Sequence, residues 1–394
     1  MSARFHPYLC GRNAAEWLID MKHLIYADNA ATTQMDVDVF EAMKPYLLHE
    51  YGNASQPYSF ARQPKKAIQE ARESIASCIG ALPEEIYFTS GGTESDNWAI
   101  KGIAFQNYDH RATITTAFEH HAVLHACEAI ERLGCPVAYM LPDKRGFVSP
   151  DSLERYITDE TFLVSVMYAN NELGSIQPIK ELCKVAHDHG ALFHTDAVQA
   201  VGHVAINVND LGVDMLSASA HKFNGAKGVG FLYIRTGTTL PPYADGGAQE
   251  HGLRAGTENV AGIVSMAVAL KKNVNDLDKN QRHILKLEGL LLQALNESGI
   301  PYVRNGGDHT LPGVISLSFD GKDGEAILHR MDLMGVCIST GSACDSKNTE
   351  ISHVLQAIRM PESLAKGTIR ISLGKNNTAD DIDTIVTALR KILL

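Results

Sequence analysis

Lys222 sits directly behind an apolar segment, in Ser219-Ala220-His221-Lys222-Phe223, and is followed by the glycine-rich GAKGVG of 225–230. A lysine at the end of a buried strand loses solvation, so its pKa falls and its amine suits Schiff-base chemistry with a carbonyl. A single lysine is more often a surface side chain reaching off a strand end, so the position needs companions. Three other loops offer them. Thr89-Ser90-Gly91-Gly92-Thr93-Glu94 lies between a strand and a helix. Glycines there allow close backbone approach, and free N–H groups at the helix start can hold a phosphate; alone, the segment reads as a capped glycine turn. Asp196 ends another apolar strand, with Gln199 one turn on. Its carboxylate suits a protonated ring nitrogen and a helix cap equally well. Glu119-His120-His121 follows a further strand and offers an imidazole to stack on a ring or carry protons, or else a satisfied polar strand end.

Together these loops supply a phosphate cradle, a ring-nitrogen partner and a Schiff-base lysine on one sheet, which is what a pyridoxal-phosphate protein must provide. A fifth feature is Ser339-Thr340-Gly341-Ser342-Ala343-Cys344-Asp345-Ser346, where small residues surround a cysteine ahead of a polar run. Such a segment is expected to be an exposed, mobile loop over about 339–352, with a thiol able to act as nucleophile. Cys78, Cys127 and Cys183 lie in helical patterns and read as small buried hydrophobes.

The elements that must position these residues alternate. Helical spacing covers 67–80, 94–105, 121–134 and 179–190, and strand-like runs cover 85–90, 112–118, 161–169, 191–197, 213–220 and 228–234. That order predicts an α/β fold with a large, mainly parallel sheet, and ligands of such sheets bind beyond the carboxyl ends of the strands. After about residue 262 a long helical stretch (262–297) leads into strands at 313–319, 336–340 and 368–374, a helix at 325–335 and a last helix at 379–394, which reads as a smaller α+β C-terminal domain. The expected division is an N-terminal extension (1–25), a large domain (26–264) and a small domain (265–394) carrying the cysteine loop.

With 394 residues, 45% hydrophobic and 21% charged, the chain has the composition of a globular protein with room to bury a cofactor. A formal net charge of −11 argues against direct nucleic-acid binding. Seven cysteines, an odd number without a C-x-x-C pair, argue against a disulfide framework and a zinc ribbon, so no metal site is expected. No apolar run reaches membrane-spanning length and the N-terminus lacks a signal-peptide core, which points to the reducing cytoplasm. A nicotinamide-binding reading lacks a G-x-G-x-x-G after the first strand.

Ten segments, in order, resemble the cysteine desulfurases of the iron–sulfur assembly and nitrogenase-maturation type, within the class V aminotransferase superfamily of fold-type I pyridoxal-phosphate enzymes. They are YADNAATT (26–33), GNASQPYSFAR (52–62), TSGGTES (89–95), EHHAV (119–123), NNELGSIQP (170–178), HTDAVQA (194–200), SAHKFNGAKGVG (219–230), GGAQEHGLRAGTEN (246–259), GSACDS (341–346) and RISLG (370–374). The resemblance implies that Lys222 binds pyridoxal 5'-phosphate covalently, Asp196 pairs with its ring nitrogen and Gln199 with its phenolic oxygen. It places His120 against the ring as stacking and proton-transfer residue. Gly92, Thr93, Ser219 and His221 would hold the phosphate, with Thr257 reaching the phosphate of the neighbouring subunit of a homodimer. Asn171 and Arg370 would bind the carboxylate of L-cysteine, and Cys344 would take its sulfur as a persulfide. The implied product is L-alanine, with sulfur passed to an acceptor or iron–sulfur scaffold protein for cluster assembly or tRNA thiolation. A selenocysteine lyase or another lyase of the same superfamily is the alternative, for which Cys344 has no evident use. A non-catalytic relative would be marked by loss of Lys222 or Cys344, and both are present.

Overall fold

The computed structural model describes residues 24–106, 112–340 and 351–394. Cys344, most of the expected cysteine loop and nearly all of the expected N-terminal extension lie outside the described residues. The first strand, β1 (Ile25–Tyr26), pairs in parallel with Val336 and Cys337, far along the chain. Helix α1 (Val37–Leu48) follows, then α2 (Arg62–Ile79), whose buried Ala67, Ile68, Ala71, Ile75 and Ile79 recur at helical spacing and whose end is set by Gly80 at φ 72°.

A seven-stranded sheet comes next. Its strands are β2 (Ile86–Thr89), β3 (Ala112–Thr116), β4 (Val137–Met140), β5 (Thr161–Ser165), β6 (Leu192–Asp196), β7 (Met215–Ser219) and β8 (Gly230–Ile234), in spatial order β2-β8-β7-β6-β5-β3-β4. Neighbours from β7 to β4 run parallel, whereas β8 is antiparallel to both β7 and β2. Every strand except β8 therefore points the same way. Residues in β7 and β8 are buried throughout, which explains their unbroken apolar reading in the sequence. Helices α3 (Gly92–Gln106), α4 (His121–Glu131) and α5 (Ile179–Asp188) link the strands.

The predicted helix over 262–297 is two helices, α6 (Val260–Asn275) and α7 (Leu277–Ser298), joined at Asp276. They serve different cores. Ile263, Met266, Ala269 and Leu270 of α6 belong to the core beneath the large sheet. Ile284, Leu287, Leu291 and Leu295 of α7 belong to a second core with Ile315, Leu317, Ile369 and Ile371. That second core lies under a three-stranded sheet, ordered β12-β10-β9, formed by β9 (Val303–Arg304), β10 (Val314–Ser318) and β12 (Thr368–Ser372). Helices α8 (Gly324–Asp332) and α9 (Ala379–Leu393) pack against it, and β11 (Val336–Cys337) is the short partner of β1. Between these two helices the apolar division falls at Asp276 rather than after 264, but it is crossed twice: Val354, Leu355, Ala357, Ile358 and Ala365 return to the first core, and Ala27 from the start of the chain joins the second. No helix among the described residues is long and apolar enough to cross a membrane.

Candidate active site

Because every strand except β8 runs the same way, the carboxyl ends of β2, β3, β5, β6 and β7 open toward one rim, and the candidate residues stand on the turns leaving it. Lys222 occupies a single helical turn (Ala220–Lys222) after β7 and is half-buried rather than sealed. Its Nζ donates to the carbonyls of Ala30 (2.6 Å) and Ala31 (2.9 Å). Gln199 Nε2 donates to the same Ala30 oxygen at 3.0 Å, so one peptide of the 28–33 loop holds both side chains.

Asp196 ends β6. It is 5% exposed and accepts the Val198 N–H at 2.9 Å. Burial raises its pKa to about 6, against the pull of that N–H and of the Lys222 ammonium. His120 precedes α4 and caps it: Nδ1 accepts the Ala122 N–H at 3.1 Å. Burial and the Lys222 charge lower its pKa to about 4, so the ring is neutral and its proton resides on Nε2. Ligand atoms of His120, Asp196 and Asp96 all lie within 4.8 Å of one another.

The phosphate-type recess opens at the start of α3. Ser90, Gly91, Gly92, Thr93, Ser219 and His221 all line it. A Cβ on Gly92 would come within 2.5 Å of Val198 Cγ2, and Gly91 has φ 150°, so both positions exclude a side chain. Gly92, Thr93 and Glu94, the first residues of a 15-residue helix and so without intrahelical partners for their N–H groups, line the recess. His221 Nδ1 lies 3.1 Å from Thr32 Oγ1, and burial together with Lys222 pushes its pKa down to about 4. The recess therefore combines backbone donors with the polar side chains of Ser90, Thr93, Ser219 and His221, and the ionisable Glu94 and Lys227 also line it.

Arg370 comes from the second sheet, on β12, and is 4% exposed. Its Nη2 pairs with Asp28 at 2.7 Å and its Nη1 donates to the Asn171 carbonyl at 2.8 Å. Nε is buried without a hydrogen-bond partner among the described residues. Asp28 opens the loop whose Ala30 and Ala31 hold Lys222, so the two sheets meet at this loop. Thr257 is exposed, and the structure does not bring it to the recess of its own chain.

Sequence reasoning gave no role to Asp28, Asp96 or the Ala30–Ala31 carbonyls. The only signal for the first and last is the segment YADNAATT, which carries the family resemblance without assigning its residues a function. Asp96 carries no signal beyond its place one turn into α3. Glu119, noted only as a neighbour of His120, is buried, accepts from Thr116 Oγ1 (2.7 Å) and the Met167 N–H (2.9 Å), and has its pKa raised by burial to about 8.

The residues fit pyridoxal phosphate on three structural counts: a glycine-lined recess at the start of a helix, an acidic side chain at the sheet rim, and a lysine close enough to act on it. A family model described as Aminotransferase class-V matches residues 25–385. Cysteine desulfurase IscS of Dictyoglomus turgidum is 48% identical over 375 residues, 95% of each chain. The protein of the same name from Methanosarcina thermophila is 46% identical over 94% of this chain and 92% of its own. Among solved structures, a NifS-like protein superposes with TM-score 0.89 at 37% identity, covering 94% of this chain and 99% of that one. A structure described as SspA in complex with cysteine gives TM-score 0.81 at 37% identity, covering 90% and 100%. The likeness runs through both sheets and through the loop that joins Lys222 to Arg370, and the chain belongs to the class-V aminotransferase family.

Proposed function

We propose that the chain is a pyridoxal-phosphate-dependent cysteine desulfurase that releases L-alanine and carries the sulfur on Cys344. The observation that supports this most is the meeting of Lys222, Asp196 and His120 on turns leaving one sheet rim, in a chain 48% identical to a cysteine desulfurase. When bound, the cofactor supplies an electron sink for the α-carbon of an amino acid.

The chain's own residues would divide the work as follows. Gly92, Thr93, Ser219 and His221 hold the phosphate at the start of α3. Asp196 would pair with the ring nitrogen and Gln199 with the phenolic oxygen, and Lys222 would hold the cofactor covalently. Arg370, with Asn171 beside it, takes the substrate carboxylate, and its buried Nε is an available donor for an incoming oxygen. The Lys222 amine would be the base for the α-proton. His120, neutral with its proton on Nε2, is the donor facing the site. The Cys344 thiolate attacks the substrate sulfur: an S–S bond forms as the Cβ–S bond breaks, and that electron pair stays with the three-carbon fragment, which takes up protons and leaves as alanine.

Thr257, exposed on its own chain, is assigned to the phosphate of a partner copy in a homodimer. Cys78, Cys127, Cys183 and Cys337 are free thiols, in keeping with a cytoplasmic enzyme that hands sulfur to an acceptor or iron–sulfur scaffold protein. We place the cofactor and most of its ligands in a large domain and Arg370 and Cys344 in a small one, so substrate binds where the two meet.

Mass spectrometry of the cofactor-loaded protein after incubation with cysteine tests the proposal. One added sulfur on Cys344 with matching alanine release is expected, and Cys344→Ala should lose both the adduct and turnover with acceptor. Alanine formation that is undiminished in Cys344→Ala would rule out the thiol's role. Retention of the visible absorbance band by Lys222→Ala would rule out the lysine's.

A further inference from the structure

Behind Asp196 lies a second acid. Asp96, one turn into α3, is 1% exposed. It reaches within 4.8 Å of Asp196. Ser217 hydrogen-bonds it, while its Oδ1 is buried with no hydrogen-bond partner among the described residues. The neighbouring base gives it no positive charge. His194 Nε2 is 3.7 Å from that Oδ1 but shares a 3.0 Å hydrogen bond with Ser217 Oγ, and Nδ1 lies 2.9 Å from Ser165 Oγ. Burial lowers the His194 pKa to about 3, so the ring is neutral. Glu119, the third acid facing this pocket, is itself buried. The cation that acts on Asp196 is Lys222.

Two carboxylates this close in a low-dielectric interior cannot both ionise. Asp196 accepts a backbone N–H and feels Lys222, both of which favour its charged form. Asp96 has neither. We propose that Asp96 is the proton-holding half of a carboxyl pair whose charged half is Asp196, and that it acts as a positioning residue for the ring-nitrogen partner. The pair then presents one negative charge to the ring rather than two, and the neutral acid keeps Asp196 from being driven off by repulsion. This rests on the reading of Asp196 as the ring-nitrogen partner. The burial of Asp96 and Glu119 also pushes both their pKa values up, in line with a pocket floor that carries a single charge.

The test uses the full-length, cofactor-loaded protein and two variants, Asp96→Asn and Asp96→Ala. An infrared difference spectrum between wild type and Asp96→Asn at neutral pH should show loss of a protonated-carboxyl band and no loss of carboxylate signal. Asn, a neutral isostere, should keep the wild-type visible band and its pH midpoint. Ala, which removes the neighbour altogether, should shift that midpoint and weaken cofactor retention about tenfold, the scale of a one-unit change in the pKa of Asp196. Loss of a carboxylate band in Asp96→Asn, or an Asn variant no better than Ala, overturns the inference. A wild-type protein that takes up no cofactor would instead overturn the reading of Lys222 and Asp196, and with it the positioning role; the infrared measurement would still report where the proton resides.

Discussion

Single side chains set the charge state of the site. Glu119 is the clearest case because burial alone dominates its titration, with two hydrogen bonds pulling the other way. Its folded-state pKa of about 8 lies above the ordinary 4.5, so the native protein holds this proton where the unfolded chain releases it. The associated stability is present in full below about pH 4.5 and is lost as pH rises through about 8. Glu119→Gln is permanently neutral and should lose less stability than wild type between pH 5 and pH 9 in urea unfolding, by the same shift. Parallel pH profiles for the two proteins would count against a buried, protonated Glu119. Residue types at strand ends were legible: Lys222, Asp196, His120 and the Gly91–Gly92 turn each follow an apolar run and stand where the sheet delivers them. Asp28 and Asp96 were not legible, since their meaning depends on partners, Arg370 and Asp196, that only tertiary folding brings near.

Elements show where local signals fall short. Helix α1 contains Pro45 and exposes Val37, Phe40, Leu47 and Leu48, so neither its pattern nor its composition announces a helix. The break at Asp276 carries no glycine or proline and reads as continuous helix; two separate cores, rather than a local breaker, divide α6 from α7. The predicted strand over 336–340 stops at Cys337, because Ser339 turns to pair with Arg370 in an isolated bridge. The loop before Thr257 is held from inside the molecule. Glu250, at φ 46°, pairs with Arg72 of α2 at 2.8 Å, and both side chains are under a tenth exposed. It also accepts the Phe88 N–H at 2.8 Å, while Arg72 donates to the Ile86 carbonyl and stacks on the Phe88 ring. Removing one partner strands a buried charge, so Arg72→Met should cost about 3–5 kcal/mol in denaturant unfolding. A loss below about 1 kcal/mol would mean that the pair is as dispensable as a surface ion pair.

At the scale of the whole molecule, the site is a seam. The large sheet supplies the recess, Asp196 and Lys222; the second sheet supplies Arg370; and residues 28–33 bind both. The α/β class and the places along the chain of six of the large sheet's seven strands could be read from alternating periodicity. The reversal of β8 and the docking of β1 onto β11 could not, because strand direction and long-range pairing leave no trace in local pattern. In refolding, backbone helicity is therefore expected to recover before cofactor absorbance, since the 28–33 loop is fixed only when both cores have formed. Coincident recovery of circular dichroism and visible absorbance would argue that the seam assembles with the large sheet. The pairing of β1 with β11 bears also on synthesis. A ribosome has already released Lys222 and its whole parallel sheet while the strand that carries Arg370 is still unmade, and Ala30 waits for Ser372, whose hydroxyl accepts its N–H at 2.9 Å. A half-made polypeptide thus owns the lysine yet lacks the clasp around it.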